Sequence, residues 1–128
     1  SAKEIFSLSD IISINLSYNK LTHGIISRSI LNKAKTNQIL INTSRGEILD
    51  EKALWIYLKS KNNRYAGLDV LTDDHKWSKK IPVTKLKNLK KFNKRMILTP
   101  HVGGVIIDAK NITRNIILEK LINEIKKY

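Results

Sequence analysis

The sequence predicts an α/β protein built on an open parallel sheet, and three observations carry that expectation. Short runs of β-branched and apolar residues alternate with amphipathic stretches at helical spacing. The segments between runs are long enough for the helical crossovers that parallel strands require. Runs also stop abruptly in small polar or charged residues, as in Ile39-Leu40-Ile41-Asn42-Thr43-Ser44-Arg45-Gly46-Glu47.

Residues 1–10 read as the tail of a short helix, with Ile5, Phe6 and Leu8 apolar and Ser9-Asp10 closing it. The first strand is Ile11 to Leu16, followed by the polar loop Ser17-Tyr18-Asn19-Lys20 and a turn at Thr22-His23-Gly24. Ser27 can cap a short helix through Ala34, because its hydroxyl can accept from an unpaired backbone N–H. Gln38 to Asn42 is the second strand; its apolar run Ile39-Leu40-Ile41, continuous and bounded by a turn, has the pattern of a strand buried on both faces. Asp50-Glu51 opens a helix to about Ser60, its acidic residues complementing the helix dipole. Ala53, Leu54, Tyr57 and Leu58 fall on one face of it, whereas Trp55 points elsewhere and should cover a neighbouring element. Lys61-Asn62-Asn63 ends that helix, and Tyr65 to Val70 is the third strand. A long irregular stretch, roughly 71–94, contains Pro82. The fourth strand, Met96 to Thr99, is stopped by Pro100. Gly103-Gly104 precedes a last helix, about 106–126, with Ala109, Ile112, Ile116, Ile117, Leu121 and Ile125 on its apolar side.

With 128 residues, 41% of them hydrophobic, the chain can form one domain with a real core. It has no cysteine, which excludes a disulfide framework, thiol chemistry and Cys-based zinc sites; no metal site is expected. No apolar run approaches the ~20 residues of a membrane span and the amino terminus lacks a secretory pattern, so a cytoplasmic protein with no membrane partner is the expectation. The formal charge of +13 invites a nucleic-acid reading. Most of the bases are lysines spread along a chain rich in isoleucine and asparagine, and only Lys76 to Arg95 forms a dense cluster. No recognised binding motif accompanies it, so the cluster is better read as a solvated face.

A parallel sheet collects all its carboxyl ends along one edge, and ligands bind outside that edge. The edge would gather Asn15 and Ser17, then Thr43, Ser44 and Arg45, then Asp69, then His101 with Gly103 and Gly104. The guanidinium of Arg45 can grip a carboxylate or phosphate with two parallel hydrogen bonds. A surface arginine paired with Glu47 is the competing account. Each residue singly has a bland reading; their coincidence at four successive strand ends points to a ligand crevice.

Five separated motifs occur in order: Asp10-Ile11-Ile12-Ser13-Ile14-Asn15-Leu16, Thr22-His23-Gly24-Ile25-Ile26, Ile41-Asn42-Thr43-Ser44-Arg45-Gly46, Ala66-Gly67-Leu68-Asp69-Val70 and Leu98-Thr99-Pro100-His101-Val102-Gly103-Gly104. Together they resemble the D-isomer-specific 2-hydroxyacid dehydrogenase family over nearly the whole chain. The resemblance implies an enzyme that moves a hydride between NAD and a small 2-hydroxy or 2-keto acid. It puts the family's catalytic arginine on Arg45, binding the substrate carboxylate and polarising its carbonyl, and the family's proton-exchanging histidine on His101. The usual third group, a glutamate, corresponds to Asp74, which would orient the imidazole. Aspartate is one methylene shorter, His75 stands where proline is common, and a solvated acidic turn at Asp73-Asp74 is the competing reading. By the same resemblance Asp69 meets the nicotinamide amide and Thr43 and Ser44 line the ring. Asn15, Leu16 and Ser17 contact the cofactor mainly through backbone, and Gly103 and Gly104 let the chain approach it. Val105 and Ile106 depart from the family's smaller or more polar residues.

The family's Gly-x-Gly-x-x-Gly fingerprint occurs nowhere in this sequence. The expectation is therefore half of a doubly wound, Rossmann-type parallel sheet. Residues 1–104 would form the second half of an NAD-binding domain and 105–128 a carboxyl-terminal return helix. The pyrophosphate turn, the first half of the domain and the substrate domain would lie upstream, leaving the first strand as an open hydrophobic edge and the isolated fragment inactive. A homodimer is expected of the full-length enzyme. Lactate, glycerate and phosphoglycerate analogues are all open as substrates. The competing functions are a non-catalytic module that kept the nucleotide fold, favoured by Asp74, and a basic nucleic-acid-binding domain using Lys79 to Arg95.

Overall fold

Strands made in the order β1, β2, β3, β4 stand side by side in that same order, all parallel. The computed structural model describes residues 1–60, 62–74, 91–92, 94–104 and 107–125. Along them run α1 (Ala2–Leu8), β1 (Ile11–Ile14), α2 (Arg28–Leu31), β2 (Ile39–Asn42) and a 3₁₀ turn (Gly46–Ile48). They are followed by α3 (Glu51–Lys59), β3 (Tyr65–Leu68), β4 (Met96–Leu98) and α4 (Ile107–Ile125). Residues 75–90, with Pro82, His75 and most of the basic cluster, lie outside the described residues, as do Val105 and Ile106.

A sheet wound steadily in one direction by right-handed crossovers receives all its helices on one face. The burial pattern follows from this. Ile12, Ile14, Leu40, Ala66 and Leu68 point into a core shared with Ile30 and Leu31 of α2 and with Ala53, Leu54, Tyr57 and Leu58 of α3. Their alternate neighbours Ile11, Ile39, Tyr65 and Ile97 are 61, 36, 40 and 74% exposed. The expectation of a second strand buried on both faces is therefore corrected: β2 alternates, with Leu40 and Asn42 buried and Ile39 exposed. Its isoleucines match the composition of a doubly covered strand, but among the described residues no helix buries the far face, where Ile39 stays exposed. Among the described residues β1 pairs with β2 alone.

Several ends differ from expectation for identifiable reasons. Ser27 precedes α2 but does not cap it; its hydroxyl meets that of Ser29 at 3.0 Å. The helix expected through Ala34 stops at Leu31 and tightens into i→i+3 bonds, Lys33 N–H to Ile30 O and Ala34 N–H to Leu31 O. Asp50 does cap α3, accepting from the Ala53 N–H at 3.1 Å. Trp55 leaves the core-facing stripe and stacks on Phe92, rings 3° from parallel with centroids 6.1 Å apart. Fully buried Gln38 ties α1 to the sheet by donating to the carbonyls of Phe6 (2.9 Å) and Ser9 (2.7 Å). On α4 the side chains of Ile112, Ile116 and Ile117 are 48–59% exposed; those of Ala109, Leu121 and Ile125 lie outside the described residues.

Candidate active site

The register aligns Ile14, Asn42, Leu68 and Leu98 in one row across the sheet. Asn15, Thr43, Asp69 and Thr99 are the next residues beyond that row, so the chain delivers its polar groups to a single edge.

At the end of β2 the buried Asn42 folds the chain over itself. Its side-chain oxygen accepts from the Ser44 N–H, and its amide donates to the Arg45 carbonyl, both at 3.1 Å. The Ser44 hydroxyl donates to the Leu16 carbonyl and joins the ends of β1 and β2. Asn15, Leu16, Ser17, Tyr18, Thr43, Ser44 and Arg45 then line a cleft of about 500 Å³. Arg45 is exposed; its Nη1 donates to the Ser44 carbonyl at 2.7 Å. It does not pair with Glu47, whose carboxylate instead accepts the Asp73 N–H at 3.0 Å. Gly46 has no room for a side chain: a Cβ there would lie 2.1 Å from the Leu71 carbonyl carbon and 2.3 Å from the Thr72 nitrogen. The loop carrying Arg45 is thus pressed against the loop carrying Asp74.

At the end of β4, His101 sits in the left-handed region at φ +55°. The Asp69 carboxylate holds its loop, accepting from the Thr99 hydroxyl, the Val102 N–H (3.0 Å) and the Gly103 N–H (2.8 Å). Burial pushes the Asp69 carboxyl up. The Thr99 hydroxyl, the two backbone donors and the nearby His101 imidazole outweigh that push and hold it below the usual carboxylate range. The shorter side chain of Asp74 nonetheless reaches the imidazole: its Oδ2 stands 3.1 Å from His101 Nδ1. The same oxygen accepts the Leu71 N–H at 3.2 Å. An imidazole that donates from Nδ1 to a carboxylate presents Nε2 to whatever lies beyond.

The structure therefore brings Asp74 and His101 into contact, with Asp69 underneath the same loop, and sets Arg45 beside Asn15, Ser17, Thr43 and Ser44. The role expected of Gly103 is amended: the space a Cβ would fill belongs to Asp69, whose Oδ2 would be 2.9 Å away. Gly104 borders open space instead. Both glycines line a second cleft, about 570 Å³, with Lys110 and Arg114 of α4. Three contributors escaped sequence reasoning: Asn42, Glu47 and Thr99. For Asn42 a signal existed, an asparagine at a strand end followed by two small polar residues, which is turn chemistry.

A family model described as D-isomer specific 2-hydroxyacid dehydrogenase, NAD binding domain, matches residues 1–103. The chain belongs to that family. It is 31% identical over 127 residues to 4-methyl-2-oxopentanoate reductase A of Aspergillus oryzae, covering 99% of this chain and 36% of the relative. It is 34% identical over 114 residues to glyoxylate reductase of Thermococcus litoralis, covering 89% and 32%. Among solved structures, D-lactate dehydrogenase from Aquifex aeolicus, complexed with NAD and lactic acid, superposes with a TM-score of 0.74 at 26% identity. That match covers 99% of this chain and 40% of the other. The chain thus spans about a third of the length of the curated relatives it matches. Its four-stranded parallel sheet is Rossmann-like. The hydroxyls, amide and backbone groups around the first cleft could hold the nicotinamide riboside end of NAD. The pyrophosphate has no glycine-rich turn in this sequence to receive it.

Proposed function

We propose that the chain is the nicotinamide-side part of an NAD-dependent D-2-hydroxyacid dehydrogenase that interconverts a 2-hydroxy and a 2-keto acid. The observation that carries this is the 3.1 Å contact between His101 and Asp74 on the sheet edge where Arg45 stands exposed. Residues 1–104 form the second half of the NAD-binding domain and 105–128 the return helix. The pyrophosphate turn and the pocket for the substrate's side chain are assigned to sequence outside these 128 residues, and the full-length enzyme is read as a homodimer.

Arg45 binds the substrate carboxylate through two parallel bonds and draws electron density from the adjacent carbonyl. Bound NADH supplies the hydride for reduction of that carbonyl. His101 gives a proton from Nε2 to the carbonyl oxygen as it becomes a hydroxyl, and takes it back in the reverse direction. Asp74, its carboxylate 3.1 Å from Nδ1, orients the ring so that Nε2 is the nitrogen in play. Thr43, Ser44 and the backbone of Asn15, Leu16 and Ser17 would hold the nicotinamide in the first cleft, while Asp69 holds the His101 loop and Gly103 and Gly104 border the neighbouring cleft. Contact between Asp74 and His101 supports the enzyme over a non-catalytic relative.

The test is NADH oxidation by the longest natural form of the protein, offered glyoxylate, pyruvate and 4-methyl-2-oxopentanoate. Arg45→Lys should lower kcat/KM by about a hundredfold, because an ammonium cannot reproduce the two-point grip. His101→Gln should lower kcat by at least about a hundredfold. Turnover undiminished in His101→Gln would overturn the assignment, and light scattering of the same preparation decides the dimer.

A further inference from the structure

The turn that carries Asp74 is held from outside itself. Residues 71–74 close with the Asp74 N–H bonded to the Leu71 carbonyl at 3.1 Å, and Asp73 stands in the left-handed region at φ +60°. An aspartate can occupy that region, but an adjacent support makes one conformation dominant. That support comes from Glu47, whose Oε1 accepts the Asp73 N–H at 3.0 Å across the groove between two loops. Glu47 is itself well anchored. Its carbonyl accepts the Gly24 N–H at 2.8 Å, the following Ile48 is fully buried, and a bridge joins Ile26 to Leu49. The close approach at Gly46 keeps the two loops within reach of each other.

We infer that Glu47 is a positioning residue for proton transfer: by holding the Asp73 amide it aims the Asp74 carboxylate at His101 Nδ1. This rests on the dehydrogenase assignment above. The acceptor oxygen matters here rather than the negative charge, since the partner is a neutral backbone N–H. Substrate binding should be nearly independent of it, because the Arg45 backbone is held by Asn42 and its side chain bonds the Ser44 carbonyl rather than Glu47. Glutamine retains an acceptor at the same reach, whereas methionine keeps the length and volume of the side chain and removes it.

The experiment uses the longest natural form of the protein, with Asp74→Asn, Glu47→Gln and Glu47→Met compared in steady-state reduction of one 2-keto acid. Glu47→Met should lower kcat about tenfold and leave KM within about twofold, while Glu47→Gln stays near wild type. In parallel, ¹⁵N spectra of the His101 ring in the wild-type chain should show the Nδ1–H tautomer. Glu47→Met should move it toward Nε2–H, and Glu47→Gln should not. If Asp74→Asn leaves kcat unchanged, the dehydrogenase assignment of the pair fails. If Asp74→Asn slows turnover while Glu47→Met does not, the positioning role alone is refuted. Equal damage from glutamine and methionine would also refute it, since charge or packing would then be responsible.

Discussion

Replacing Gly46 with alanine should be among the most damaging single-methyl additions in the chain. The new Cβ would lie 2.1, 2.3 and 2.4 Å from the Leu71 carbon, the Thr72 nitrogen and the Leu71 oxygen. Ordinary contact begins near 3.4 Å, so the Leu71–Thr72 backbone must retreat by more than an ångström. No side chain can rotate aside to absorb it. Overpacking of this kind costs about 1–3 kcal/mol. The retreat also parts Glu47 from the Asp73 N–H, a hydrogen bond that adds about 0.5–1.5 kcal/mol. The sum is about 1.5–4.5 kcal/mol, a fall of roughly 5 °C or more in Tm for a domain of this size. Thermal unfolding followed by circular dichroism measures it directly. Gly104→Ala is the internal control, because its Cβ would meet nothing within 4 Å. A Gly46→Ala variant melting within about 2 °C of Gly104→Ala would refute the close approach and, with it, the rigid link between the Arg45 and Asp74 loops.

Asp69→Asn should destabilise the chain by about 1.5–3 kcal/mol, since an amide nitrogen would face one of the donors the carboxylate now satisfies; urea titration checks it. Because folding lowers the Asp69 pKa, its contribution is complete above the ordinary carboxylate value and is lost as pH falls through the lowered one. Asp69→Asn should therefore flatten part of the acid limb of the stability–pH curve. Burial pushes the Tyr57 phenol up to about 12, against an opposing pull from Arg64. The unfolded phenol ionises first, so stability should decline from pH 10 and level off near 12, by up to about 3 kcal/mol. Tyr57→Phe should remove that part of the decline in alkaline urea titrations. Gln38→Met should cost about 1–3 kcal/mol by orphaning the Phe6 and Ser9 carbonyls, and hydrogen exchange should report the loss first in α1.

The parallel sheet and the edge on which the polar groups meet were legible because both follow from short apolar runs alternating with helical stretches. The start of α3 at Asp50-Glu51 and Trp55 outside the core stripe were readable for the same local reasons. The two-sided burial expected of β2 was not obtained, because an isoleucine-rich run records the composition of a strand and not the number of helices above it. Glu47 looked like a partner for Arg45 from two residues away. Its bond to Asp73 spans 26 positions and depends on Gly46 letting two backbones touch, which no local pattern encodes. The reach of Asp74 was equally hidden, since it depends on a left-handed residue at 73 and another at 101.

The one-directional winding of the sheet has a colloidal consequence. Ile11, Ile39 and Tyr65 form a single register row on the uncovered face, with Ile97 beside it, a greasy strip on a molecule of formal charge +13. Two copies that would bury these strips together must first bring like charges to within a few ångströms. At about 0.01 M salt the repulsion extends some 30 Å and keeps them apart; at about 0.1 M it fades within roughly 10 Å. Ionic strength then becomes the control on self-association of the chain. Dilute buffer should hold it monodisperse, and added sodium chloride, at constant pH and temperature, should drive a concentration-dependent rise in scattering. Ile39→Lys and Tyr65→Lys should suppress that rise while the sheet behind them stays folded.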